Sequence, residues 1–109
     1  MAYRVKMTPP AKHRLDMYIG YTIDILRNRQ AAKAIRDDAK NTVKRLSIVA
    51  GSLAICENPI LAKYGYRKIM FTNHDFFMVY RIQDDIVWVD GMYHVLQDYE
   101  SALIMEKEL

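Results

Sequence analysis

Residues 66–99 read YRKIMFTNHDFFMVYRIQDDIVWVDGMYHVLQDY. Three short apolar runs, 67–72, 76–82 and 86–93, are set apart by Asn73-His74-Asp75 and Gln83-Asp84-Asp85. The runs are rich in Phe, Tyr, Ile, Val and Trp, which suit a pleated, half-buried surface. The separators are turn formers. The stretch therefore predicts an antiparallel meander of three strands. In the middle strand, alternation sets Phe77, Val79 and Arg81 on the face opposite Phe76, Met78, Tyr80 and Ile82. A charge in mid-strand belongs at a sheet edge or on an open face. Asp84, Asp90 and Asp98 are the carboxylates that would otherwise pair with Arg81.

Upstream, residues 3–7 alternate apolar and polar, the period of a strand with one wet face. Thr8 offers a helix cap, and Pro9-Pro10 fit only a helix's first turn. From Ala11 the period changes: Leu15, Tyr18, Ile19, Thr22, Ile25 and Leu26 form a helical stripe. Asn28 breaks it, either in a left-handed conformation or as the cap of the next helix. A second stripe follows in Ala32, Ile35, Ala39, Val43, Leu46 and Ala50, with Gly51 at its exit. The short joint makes the pair an antiparallel hairpin. Residues 52–65 are expected to be a loop, with a short apolar element at Ile60-Leu61. The tail from Asp98 to Leu109 is open to a helical reading but carries no strong capping signal. The resulting fold class is α+β: a small antiparallel sheet packed on a helical hairpin, order β-α-α-β-β-β with a short tail. The hairpin covers one sheet face and leaves the other partly open, where function is expected.

At 109 residues the chain makes a single domain, residues 1–109. Its net charge of +3 permits nucleic-acid contact without demanding it. No apolar run approaches the roughly 20 residues of a membrane helix. The beginning lacks an apolar signal region, and Cys56, the only cysteine, forms no internal disulfide. A reducing cytoplasm is the simplest location, with Cys56 a small buried hydrophobe.

His13, His74 and His94 have no partner at a zinc-like interval, and no phosphate loop or dinucleotide glycine pattern occurs. No cofactor is expected. The residues left to carry chemistry are basic and aromatic. Arg67 and Lys68 open the first meander strand, Arg81 sits in the second, and Tyr93-His94 end the third. Histidine is the side chain suited to proton transfer near neutral pH, which makes His94 a candidate proton shuttle. Its alternative is a surface or helix-contacting histidine. Lys33, Arg36, Lys40 and Lys44 recur at helical spacing on the outer face of the second helix, as a solvated face or as a partner or phosphate surface.

The element order and strand sequences resemble the RelE/ParE superfamily of toxins from type II toxin–antitoxin systems. The matching pieces are YRVKMTPPAKHRLDMYIGYT (3–22), RNRQAAK (27–33), GYRKI (65–69), MVYRI (78–82) and YHVLQDYE (93–100). The resemblance runs from residue 3 to about residue 103. It implies a bacterial or archaeal cytoplasmic toxin and a cognate antitoxin whose segment folds on binding. That contact is expected on Lys33, Arg36, Lys40 and Lys44 and on the open sheet face.

The superfamily divides in mechanism. RelE-like members are ribosome-dependent mRNA endonucleases; ParE-like members inhibit DNA gyrase by a surface interaction. In the nucleases an arginine commonly precedes the Val-Tyr of the second meander strand by two or three residues. Here Phe76-Phe77 hold that place, and a Lys-x-Lys pair of some nucleases becomes Lys68-Ile69-Met70. Lost oriented cations mean several kcal/mol of lost transition-state stabilisation. The resemblance thus favours the gyrase-directed reading. Under the nuclease alternative, Tyr93 and His94 match a Tyr-His acid/base pair, Arg81 or Arg67 replaces the missing arginine, and Arg67 and Lys68 hold phosphate. Neither reading implies a metal.

Overall fold

The protein is described by a computed structural model covering residues 2–108. The chain runs β1 (Arg4–Met7), α1 (Pro9–Asp24), α2 (Arg29–Val49), a 3-10 turn (Ala50–Ser52), α3 (Pro59–Lys63), β2 (Arg67–Met70), β3 (Phe76–Gln83), β4 (Ile86–His94) and α4 (Tyr99–Glu108). The strands lie in the order β1-β4-β3-β2. The meander is antiparallel as expected. β1 joins it parallel to β4, with Arg4 opposite Ile86 and Met7 opposite Val89, so the whole sheet is mixed. A parallel neighbour needs a long crossover, and the α1–α2 hairpin supplies it.

The helix ends follow local chemistry. Pro9 and Pro10 occupy the first turn of α1, but Thr8 makes no side-chain cap bond; its hydroxyl donates to the Val89 carbonyl at 3.1 Å and ties the helix start to β4. Asn28 is the cap of α2, its Oδ1 accepting from Ala31 N–H at 2.9 Å, while Arg27 takes the left-handed turn at φ 55°. β2 stops at Met70, short of the expected residue 72, because Asp38 of α2 captures the N–H groups of Thr72 and Asn73.

On one face the hairpin packs Ala11, Ile19, Ile35, Ala39 and Leu46 against Met78, Tyr80, Val87, Val89 and Met92. A bulge preserves this pattern in β4. Val79 pairs with Gly91 and Tyr80 with Val89, so Asp90 is an extra residue. The parity of β4 changes there. Val89 and Met92 both reach the hairpin core, while Tyr93 joins the core on the opposite face.

The second face is partly open, as expected, but less so than a bare sheet. Part of it carries a second core of Cys56, Leu61, Tyr66, Phe77, Val79, Tyr93 and Leu103. Two elements build this cover. α3, inside the expected loop, is capped by the Asn58 side chain accepting from Ile60 N–H, and ends at Gly65 with φ 78°. α4 forms from the tail, with Asp98 accepting from Ser101 N–H at 3.2 Å. Among the described residues no helix is long and apolar enough to cross a membrane.

Candidate functional site

Arg81 meets Asp90, one of its three sequence candidates. Alternation from Val89 sets the Asp90 side chain on the second face, where the residue is 5% exposed. Arg81 Nε donates to Asp90 Oδ2 at 2.9 Å, and the Tyr66 hydroxyl donates to the same oxygen at 2.5 Å. Lys107 Nζ of α4 lies 3.3 Å away. Burial disfavours the Arg81 charge, yet the Asp90 contact more than offsets it and holds the guanidinium firmly protonated. Burial and the adjacent Asp90 carboxylate push the Tyr66 hydroxyl well above its usual range. A buried carboxylate is tolerated only with such partners.

Tyr93 and His94, adjacent in sequence, point to opposite faces. Tyr93 is fully buried with Phe77 and Tyr99, and the Arg14 guanidinium sits 4.3 Å from its ring centre. Burial raises its hydroxyl to about 12. His94 is half-buried, edge-on to Phe76 at 5.3 Å between ring centres. Its Nδ1 accepts from Leu96 N–H at 3.1 Å, which leaves Nε2 as the other ring position.

His94 lines a groove of about 760 Å³ between α1, the start of α2 and the β3–β4 ends. Met17, Tyr18, Tyr21, Leu26, Phe76 and Leu96 make it largely apolar, with Arg14 and His74 adding polar groups. Tyr18 donates to Gln97, which also accepts from His94 N–H at 2.8 Å. Met17, Tyr21, Leu26 and Leu96 are each more than half exposed.

Arg67 is held against backbone. Its Nη1 donates to the Gly51 carbonyl at 3.1 Å and to that of Leu53, tying β2 to the turn after α2. Lys68 places its ammonium 5.0 Å from both the Phe77 and Tyr99 rings. On α2, Lys33 pairs with Asp37 at 3.6 Å, one helical turn on. Arg36, Lys40 and Lys44 are exposed and border a second groove of about 510 Å³ floored by Met7, Leu15, Ala39 and Val43. The sequence candidates thus fall in four places: Arg81, Tyr93 and Lys68 around the second core, Arg67 on the other face at the turn after α2, His94 in the apolar groove, and the α2 cations on the hairpin's outer side.

Sequence reading missed Asp38, Arg14 and Lys107. Asp38 on the buried stripe of a helix was the one available signal, since a carboxylate there demands a partner. Among the described residues no group of three or more His, Cys, Asp or Glu is placed to hold a metal.

No protein-family model matches the sequence, and no curated protein matches it. Its fold is similar to a chain of a solved structure described as the chromosomal ParDE TA system from P. aeruginosa, with a TM-score of 0.69 and 23% identity. The likeness covers 85% of this chain and 96% of that one. It establishes the fold, a helical hairpin on a small sheet, which is the one the RelE/ParE resemblance implies.

Proposed function

We propose that this chain is the toxin of a type II toxin–antitoxin module, acting by a ParE-like contact with DNA gyrase and neutralised by a cognate antitoxin. It works, on this reading, in the cytoplasm of a bacterium or archaeon. The fold supports the toxin reading. The observation that carries the non-nuclease mechanism is the engagement of Arg81, Arg67 and Tyr93 within the fold: Arg81 on Asp90, Arg67 on two backbone carbonyls, and Tyr93 buried with its hydroxyl raised to about 12. Groups so committed stabilise structure rather than a developing phosphorane.

The antitoxin contact belongs on the groove beside Arg36, Lys40 and Lys44. Its apolar floor and exposed cations suit an amphipathic acidic segment. Lys33, already paired with Asp37, is the rim of that surface.

The test is expression of the chain with and without the protein encoded beside its gene, combined with gyrase supercoiling by the purified chain. Arrest relieved by the neighbour, together with inhibited supercoiling, is expected. Untouched supercoiling at micromolar protein overturns the gyrase step. One observation favours a second reading, ribosome-dependent mRNA cleavage: His94 lines the same groove as His74 and Arg14. New mRNA 5′ ends inside codons of arrested cells, lost in His94→Ala, would establish it.

A further inference from the structure

The part of the second sheet face left uncovered by the second core carries the chain's single tryptophan, Trp88. It is half-buried on β4. Strand order and register give it one cation on each side: Lys6 directly opposite on β1, and Arg81 directly opposite on β3. The Lys6 ammonium lies 5.7 Å from the ring centre and the Arg81 guanidinium 5.8 Å.

The two cations differ in freedom. Arg81 is pinned by Asp90, which also holds Lys107, so one carboxylate faces two cations and the cluster stays net positive. Lys6 is exposed on the edge strand and makes no ion pair among the described residues. Its distance to Trp88 is near the limit at which a cation–π contact counts. Arg4, two residues earlier and on the same side of β1 by alternation, pairs with Asp85 at 3.3 Å, with both side chains more than half exposed. Such a pair is worth little and exchanges readily.

We propose that Trp88 is a stacking platform for an unpaired nucleobase, with Lys6 and Arg4 holding the adjoining phosphates, so that this sheet end binds single-stranded nucleic acid. The base takes the indole face on the β1 side, from which Lys6 swings to the backbone, while Arg81 steadies the ring from the β3 side. An aromatic ring set between cations on an open sheet is the recurrent solution for single strands, where stacking and phosphate contacts act together. A duplex keeps its bases stacked internally and leaves the indole no face to pair with. DNA and RNA share this chemistry.

The experiment titrates the full chain with oligothymidylate, oligouridylate, a duplex of equal length and heparin, reading Trp88 fluorescence directly. Saturable quenching by a single strand is expected, weaker at higher salt. The duplex and heparin should quench far less. The preferred sugar identifies DNA or RNA as the source. Trp88→Ala, followed by anisotropy of a labelled oligonucleotide, should weaken binding about tenfold or more. Lys6→Glu, on an exposed edge position, should weaken it while leaving the thermal transition in place, and so keeps the test valid if Trp88→Ala folds poorly. No quenching by any single strand, or heparin binding as tightly as the oligonucleotides and indifferent to Trp88→Ala, overturns the proposal. Growth arrest and gyrase inhibition are read separately, so either conclusion can fail alone.

Discussion

The carboxylate of Asp38, in the middle of α2, receives the Nδ1 of His74 at 2.7 Å across the β2–β3 turn. Thr72 and Asn73 N–H donate to the same carboxylate at 3.2 and 2.9 Å. One helical side chain therefore fixes the backbone of the turn and orients a histidine that lines the apolar groove. Asp38 is 4% exposed, and burial alone would raise its carboxyl; the His74 and backbone donors outweigh that and hold it below the ordinary value.

Asp38→Ala should therefore cost about 2–3 kcal/mol, the scale of losing hydrogen bonds to a buried charge. Because the folded carboxyl titrates below the unfolded one, its contribution is present above the unfolded value and lost as pH falls through the folded one. Urea unfolding across the acid range checks both points. Wild type should lose stability on acidification more steeply than Asp38→Ala.

Asp90→Ala removes the partner of Arg81, Tyr66 and Lys107 together. Leaving Arg81 half-buried without its carboxylate should cost about 3–5 kcal/mol. Arg81→Leu should cost less, because Tyr66 and Lys107 still serve Asp90. Denaturant midpoints of the two variants decide the order.

Gly91 is fixed by Tyr93. A Cβ at position 91 would overlap the Tyr93 ring edge and lie 2.9 Å from its hydroxyl oxygen. Gly91→Ala should destabilise by about 1–3 kcal/mol through forced repacking. A Gly91→Ala/Tyr93→Leu double variant should recover part of that loss, a coupling that a double-mutant cycle measures.

Tyr66, Tyr80, Tyr93 and Tyr99 all have hydroxyls raised by burial, Tyr80 and Tyr93 to about 12. A raised folded value means stability is intact below the unfolded value, about 10, and is lost as pH rises toward 12. An alkaline titration should show tyrosinate absorbance arriving together with loss of circular dichroism. Smooth ionisation of all eight tyrosines with the fold intact would contradict the burial argument.

Leu103 of α4 is fully buried over Phe77 and Tyr93. Leu103→Ala should cost about 2–5 kcal/mol. A near-neutral result in thermal unfolding would mean that α4 rests on the sheet without contributing to global stability.

The sequence by itself determined the elements. Period-2 and period-3.6 patterns report which way side chains face along one strand or helix, and turn residues report where a segment ends, so the meander, the hairpin and the Asn28 joint were legible. Alternation even placed Arg81 and narrowed its partner to three aspartates. What only the tertiary structure decided depends on contacts between residues far apart in the chain. Nothing near residue 72 announces that Asp38 will end β2 there. One extra residue, Asp90, changes the parity of β4 and so decides that Tyr93, rather than His94, takes the second face. The tail's weak capping signal left its helix undecided, and only packing shows that burial of Leu103 covers part of the second face. The separation of Arg81, Tyr93 and His94 into different environments was invisible for the same reason. Local patterns fix a side chain's direction relative to its own backbone, whereas a site requires the relative positions of several backbones, and packing sets those.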